Sequence, residues 1–192
     1  MRTICLSLTL LFGLIGAPDI VFGDDEKAIV SHLQSGGRIL MIRHALAPGS
    51  GDPDTFKIGD CSTQRNLNER GRSQAKQIGQ WLRSQGILEA RVYASQWCRC
   101  LETAQLLGLG QVMALPALNS FFNRPLDRET NLTSLQAFIS EQPVDGQLII
   151  MVTHFVTIAA MTGEGVSSGE GVVLHLTGDG SYSVSGNLGF GF

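Results

Sequence analysis

Two uninterrupted apolar runs constrain this chain more than anything else in it: Ile39-Leu40-Met41-Ile42, and the stretch from Gln147 to Val152. Neither alternates, so each reads as a strand buried on both faces, the pattern of a parallel sheet covered by helices on either side. The first run ends at Arg43-His44, before Pro48 and Gly49 force a turn, and the second ends at Thr153-His154. In open α/β sheets ligands bind beyond the carboxyl ends of the strands, so two imidazoles and a guanidinium stand where chemistry is expected.

The remaining elements follow in order. Asp24-Asp25-Glu26 puts acids in the first turn of a short helix that Gly36-Gly37 stops, and His32 in its last turn suits the helix dipole, a structural role. The segment from Ala45 to Asn66 is rich in Gly, Pro, Asp and Ser, a long loop of the kind that carries function, and Gln64-Arg65 near its end are placed to reach the crevice. Asn68 caps a helix whose stripe is Ala75, Ile78 and Leu82 and whose stop is Gly86. Arg91 to Ala94 reads as a strand, and Gln96 to Leu107 as a helix with Arg99 in its first turn. A cation there opposes the dipole and makes sense if an anion is held beside it. Gln111 to Leu115 is a third strand, Asn119 to Arg128 an aromatic and charged loop, and Leu132, Leu135, Phe138 and Ile139 mark another helix. Phe155 to Met161 is apolar all round, a buried helix ended by Gly163; Gly171 to Leu176 and Tyr182 to Ser185 form a closing hairpin, with His175 as filler in its strand pattern.

Strands and helices alternate, so the expected fold is an α/β three-layer sandwich with a mostly parallel central sheet flanked by helices, one domain over residues 24–192. Residues 1–23 read as a secretory signal: Met1-Arg2 is a short positive start, Ile4 to Ile15 is too short an apolar run to span a bilayer, and Val21-Phe22-Gly23 suits a cleavage site. The expectation is a secreted or periplasmic protein with no stable membrane insertion once the signal is removed. Cys61, Cys98 and Cys100 then remain in a compartment where disulfides persist, and Cys61 is expected to pair with Cys98 or Cys100. No His lies at ligand spacing from Cys98-x-Cys100, so no metal site is expected. A net charge of -3 without any Lys/Arg block argues against nucleic acid as a partner. No pattern sets an oligomeric state.

Arg43, His44, Arg99 and His154 thus all fall just past strand ends. Two guanidinium forks match phosphoryl oxygens two at a time, a neutral imidazole can attack phosphorus, and a second can donate a hydrogen bond to the oxyanion when protonated, all without a metal or other cofactor. One decoy is present: Gly165-Val166-Ser167-Ser168-Gly169 fits the Gly-x-Ser-x-Gly nucleophile elbow, but that elbow needs a strand before it and a helix after it, and here the order is reversed.

Arg43-His44, Leu67-Asn68-Glu69-Arg70-Gly71-Arg72-Ser73-Gln74-Ala75, Ser95-Gln96-Trp97-Cys98-Arg99-Cys100-Leu101-Glu102-Thr103-Ala104 and Thr153-His154 together resemble the histidine phosphatase superfamily, branch 1, with its phosphoglycerate mutase-like fold. The resemblance covers nearly all of the chain after the signal and implies an exported bacterial, metal-independent phosphatase acting on a small phosphorylated substrate. His44 would become phosphohistidine, Arg43 and Arg99 would bind the phosphoryl oxygens with His44 and His154, and Arg65 would contact substrate. Two departures stand out: Ala45 replaces the Gly that often follows the Arg-His pair, and Asn119 stands where many members carry a Glu general acid. Asp127 is the first candidate for that acid, with Glu129, Asp52, Asp54 or Asp60 as others, and a phosphoramidate substrate would need it less. The rival reading is a catalytically weak phosphate-binding protein that keeps the pocket without an acid.

Overall fold

Strand β1 (Arg38–Arg43) lies inside a six-stranded sheet in the computed structural model, which describes residues 24–192. Its side chains divide by parity. Leu40 and Ile42 enter one apolar cluster and Ile39 and Met41 the opposite one, as successive strand side chains must. β4 (Ile149–Thr153) does the same with Ile150 and Val152 against Ile149 and Met151, which is why neither run alternates in sequence. The sheet order is β3-β2-β4-β1-β5-β6, with β2 spanning Arg91–Ala94, β3 Val112–Ala114, β5 Gly171–Leu176 and β6 Tyr182–Leu188. β1, β4, β2 and β3 pair parallel, and β5 closes the sheet antiparallel to both β1 and β6.

Helices α1 (Asp24–Gln34), α2 (Glu69–Ser84) and α3 (Cys98–Leu107) contribute Leu33, Ile78, Leu82, Ala104 and Leu107 to the first cluster; α4 (Arg128–Ser140) and α5 (Phe155–Thr162) contribute Leu135, Ile139, Ile158 and Met161 to the second. The result is the expected three-layer α/β sandwich. Two glycines of α2 set how closely it packs: a Cβ at Gly71 would stand 2.0 Å from the Leu46 carbonyl oxygen, and one at Gly79 2.0 Å from that of Leu107. Gly71 thereby seats the start of the long loop, and Gly79 seats α3.

Three local expectations are corrected. α3 begins at Cys98 rather than Gln96, because the backbone is still extended at Trp97 (φ -68°, ψ 134°), the Ser95 N–H prolonging the ladder with β4 to the Val152 carbonyl and the Gln96 N–H donating to the Asn119 side chain. α5 is not buried all round: Thr157, Ile158 and Met161 are, but Phe155 is 45% exposed, with the Arg43 guanidinium 5.9 Å from its ring centroid. β6 runs on past Ser185 to Leu188, where burial of Leu188 in the first cluster draws the strand end inward, past a bulge opposite Val173 and Leu174. The segment expected to be a signal, with its Cys5, lies outside the described residues. Among the described residues no helix is long and apolar enough to cross a membrane.

Candidate active site

The parallel register pairs Arg43 with Thr153, so the residues that follow them come together: the His44 N–H donates to the Thr153 carbonyl at 2.9 Å, and the His44 and His154 ring centroids lie 5.6 Å apart. Both rings are buried. β2 ends beside β4 and hands the chain to α3, which brings Arg99, 3% exposed, to the same point. The elbow-like segment lies between α5 and β5, and its Gly169 N–H donates to the carbonyls of Arg43 (3.1 Å) and His44 (3.3 Å), so it buttresses the β1 terminus. Arg43 itself donates through Nη1 to the Val166 carbonyl at 3.1 Å.

The hydrogen bonds settle which nitrogen of each imidazole carries its proton. His44 Nδ1 is 2.8 Å from the Ala45 carbonyl oxygen. A carbonyl only accepts, so Nδ1 holds the hydrogen and Nε2 keeps a lone pair. His154 Nδ1 faces Arg99 Nη2 at 3.5 Å and must be unprotonated, since guanidinium nitrogens only donate. Its Nε2–H then donates to Ser95 Oγ at 2.9 Å, and that hydroxyl donates to Asn119 Oδ1 at 3.1 Å. Burial is the main reason both imidazoles resist protonation, and the Arg99 charge adds to it: His44 is pushed down to about 3, and His154 well below its ordinary value. Cys100, buried against His154 Nε2 at 3.5 Å, is driven the other way by burial to about 12, and stays a thiol.

These shifts set a direction for stability. Near pH 6.5 and below, unfolded histidines take up protons that folded His44 and His154 refuse, so the unfolded state binds more protons and is favoured as pH falls. Stability is therefore full above about pH 6.5 and declines on acidification toward pH 3, the lower limit for His44. The check is the denaturation midpoint from pH 7 to pH 4, which is expected to fall less steeply in His44→Gln; an unchanged slope would show that the histidines do not contribute.

The cleft over these residues has a volume of about 350 Å³ and a cationic floor of Arg43, Arg65 and Arg99. Phe122 and Phe155, both substantially exposed, stand at its sides. Among the described residues the buried Nε atoms of Arg43 and Arg99 have no hydrogen-bond partner, donors of the kind an oxyanion satisfies. The four residues expected past strand ends, Arg43, His44, Arg99 and His154, are thus brought together.

Arg65 lines the cleft as expected, and its guanidinium donates through Nε to the Gly51 carbonyl and through Nη1 to that of Ala47, so it also braces the long loop. Asp127 lines an adjoining pocket, with its carboxylate on Arg124. Asn119 lines that pocket too, and bonds to Ser95 and Gln96. Asp60 caps the short 3-10 turn Cys61–Thr63. Of the candidate acids, Asp52 and Asp54 line the cleft. The cysteine alternative resolves to a Cys61–Cys98 disulfide, with Cys100 free and buried. Sequence reading did not reach the backbone contacts of Gly169 or the relay through Ser95; the position of Ser95 directly after a strand end was the available signal for the latter.

Residues 39–121 match the family model of the histidine phosphatase superfamily (branch 1). Over 84 residues the chain is 37% identical to the mitochondrial serine/threonine-protein phosphatase Pgam5 of Drosophila willistoni and 36% identical to that of Drosophila virilis, in each case 44% of this chain. The aligned part spans about a quarter of the length of those curated relatives. Among solved structures, the fold is similar to that of the protein histidine phosphatase SixA complexed with tungstate (TM-score 0.57, 18% identity, covering 79% of this chain and 96% of that one). It is also similar to a mycobacterial glucosyl-3-phosphoglycerate phosphatase (TM-score 0.54, 15% identity, covering 78% and 97%). At these identities the likeness is one of fold. The chain is thus similar to the histidine phosphatase superfamily (branch 1) over residues 39–121, somewhat less than half of its length, and shares the fold of these phosphatases over most of it.

Proposed function

We propose that the protein is a phosphatase that hydrolyses phosphomonoesters or related phosphoryl compounds through a phosphohistidine on His44. The observation that carries this is the Nδ1–H bond from His44 to the Ala45 carbonyl, which leaves the Nε2 lone pair in a cleft floored by guanidinium groups. In the first step Nε2 forms a bond to phosphorus as the bond to the leaving group breaks, and the leaving group departs with the electron pair. In the second, water attacks phosphorus, the P–N bond breaks back to neutral His44, and phosphate leaves. Arg43 and Arg99 neutralise the equatorial oxygens throughout, with the donors positioned before substrate arrives. Phosphatase relatives and the tungstate, a phosphate-shaped oxyanion, in the similar SixA structure support the same reading.

Asp127 is paired with Arg124 and lines the adjoining pocket, which leaves Asp54 as the candidate acid at the cleft, and substrates whose leaving group departs with little protonation, such as aryl phosphates and phosphoramidates, do not need it. The Cys61–Cys98 disulfide favours an oxidising compartment such as a periplasm. The test is rapid-mixing hydrolysis of an aryl phosphate. A burst of about one aryl oxide per chain before steady turnover, with a label on His44 that is stable in base and lost in acid, is expected from the two-step route. Phosphate binding with neither burst nor turnover would instead mean a phosphate-binding protein.

A further inference from the structure

Asp52, far from Arg99 in sequence, makes a two-pronged pair with it: Arg99 Nη1 donates to Oδ1 at 2.8 Å and Nη2 to Oδ2 at 3.1 Å. The carboxylate is held by two more donors, Trp97 Nε1 to Oδ2 at 3.0 Å and the Arg65 N–H to Oδ1 at 3.0 Å. Arg99 Nη1 also donates to the Arg65 carbonyl at 3.2 Å. A guanidinium has two usable forks, one across its end between the two Nη atoms and one along its side between Nε and an Nη. Asp52 takes the end fork. On the side fork, Nε is buried without a partner among the described residues, and Nη2 meets His154 Nδ1 at 3.5 Å.

Resting on the phosphatase reading above, we propose that Asp52 is a positioning residue: it grips the end of the Arg99 guanidinium and so presents the Nε and Nη2 edge, beside His154, to the phosphoryl oxygens of the substrate. Four donors saturate its carboxylate, so it neither plugs the cleft nor gives up a proton to the leaving group. Burial acts to raise the Asp52 pKa, yet the bonds from Arg99, Arg65 and Trp97 outweigh it and hold the group below its ordinary value, as a permanent anion. An Asn in its place keeps the shape but has one accepting oxygen instead of two, and its amide N–H groups would face a guanidinium that also only donates.

The experiment measures the binding of inorganic phosphate by calorimetry, and kcat and KM for one aryl and one alkyl phosphate, in the wild type, Asp52→Asn, Asp52→Glu, Arg99→Ala and the Asp52→Asn/Arg99→Ala double variant. Asp52→Asn is expected to weaken phosphate binding and raise KM by at least about tenfold, to lower kcat/KM of both substrates by similar factors, and to have no further effect once Arg99 is gone. Asp52→Glu, which keeps the charge and both oxygens, is expected to recover part of the loss. Tighter phosphate binding in Asp52→Asn would overturn the proposal in favour of a plug. A loss confined to the alkyl phosphate would overturn it in favour of an acid, and an equal loss in the Arg99→Ala background would mean that Asp52 acts elsewhere. Phosphate binding is read directly, so the proposal is tested even in a chain without turnover; a wild type that binds phosphate and hydrolyses neither ester counts against the phosphatase reading alone.

Discussion

His44→Ala is expected to reduce hydrolysis of an aryl phosphate by at least about a thousandfold, because it removes the nucleophile and leaves only the cationic floor. The aryl leaving group departs without help, so the assay isolates the nucleophile and the pocket from any question of an acid. Two companion measurements make the result specific. Phosphate binding is expected to persist, since Arg43 and Arg99 remain, and the labelled intermediate is expected to vanish. The side chain is 2% exposed and its loss leaves a small cavity, so the thermal midpoint is recorded alongside to show that the variant is folded at the assay temperature. Residual turnover within about tenfold of the wild type would mean that water attacks phosphorus directly and that no phosphohistidine forms.

Opening the Cys61–Cys98 disulfide is the second large effect. The bridge spans 37 positions of sequence, and closing a loop of that size in the unfolded chain is worth about 3 to 4 kcal/mol. Enclosed in that span are α2, Arg65 and Gln64, whose Oε1 accepts from the Cys98 N–H at 2.9 Å and whose Nε2 donates to the Lys57 carbonyl at 2.8 Å. Cys61→Ser, or reduction of the wild type, is therefore expected to lower stability by that amount, and to loosen the loop that carries Asp52. Denaturant titration with and without reductant measures the first effect, and the wild type is expected to gain two titratable thiols on reduction. A reductant-insensitive midpoint together with an unchanged thiol count would mean that the bridge does not form.

Much of the site was legible because it is tied to strand ends. An apolar run that stops abruptly at Arg43-His44 or Thr153-His154 announces both a buried strand and the polar residues at its mouth, and the parallel pairing of β1 with β4 does the rest. Arg99 was legible from its place in a first helical turn. The loop was not. Its residues follow no period, and a long cation such as Arg65 reads the same whether it faces a ligand or the carbonyls of its own loop. Asp52 could be named only as one acid among several, because its partner Arg99 lies in another element. The cysteine pairing was open for a similar reason. Residues two apart on a helix project toward nearly opposite sides, so α3 turns Cys98 to the loop and Cys100 to His154, but which way round depends on where α3 packs.

The ladder that joins β1 to β4 has a further consequence. The spacing of the two imidazoles is inherited from backbone pairing in the middle of the sheet, whereas most of the walls of the cleft come from the long loop and from the segment around Phe122, with Phe155 at the start of α5 completing them. Reactivity and selectivity are thus carried by separable parts. The loop could be exchanged for one of different length or polarity, provided that it keeps a carboxylate for Arg99, and the pair of histidines would stay in register. A family of such chains could diversify its substrates by redrafting one surface segment while the reacting centre is copied unchanged.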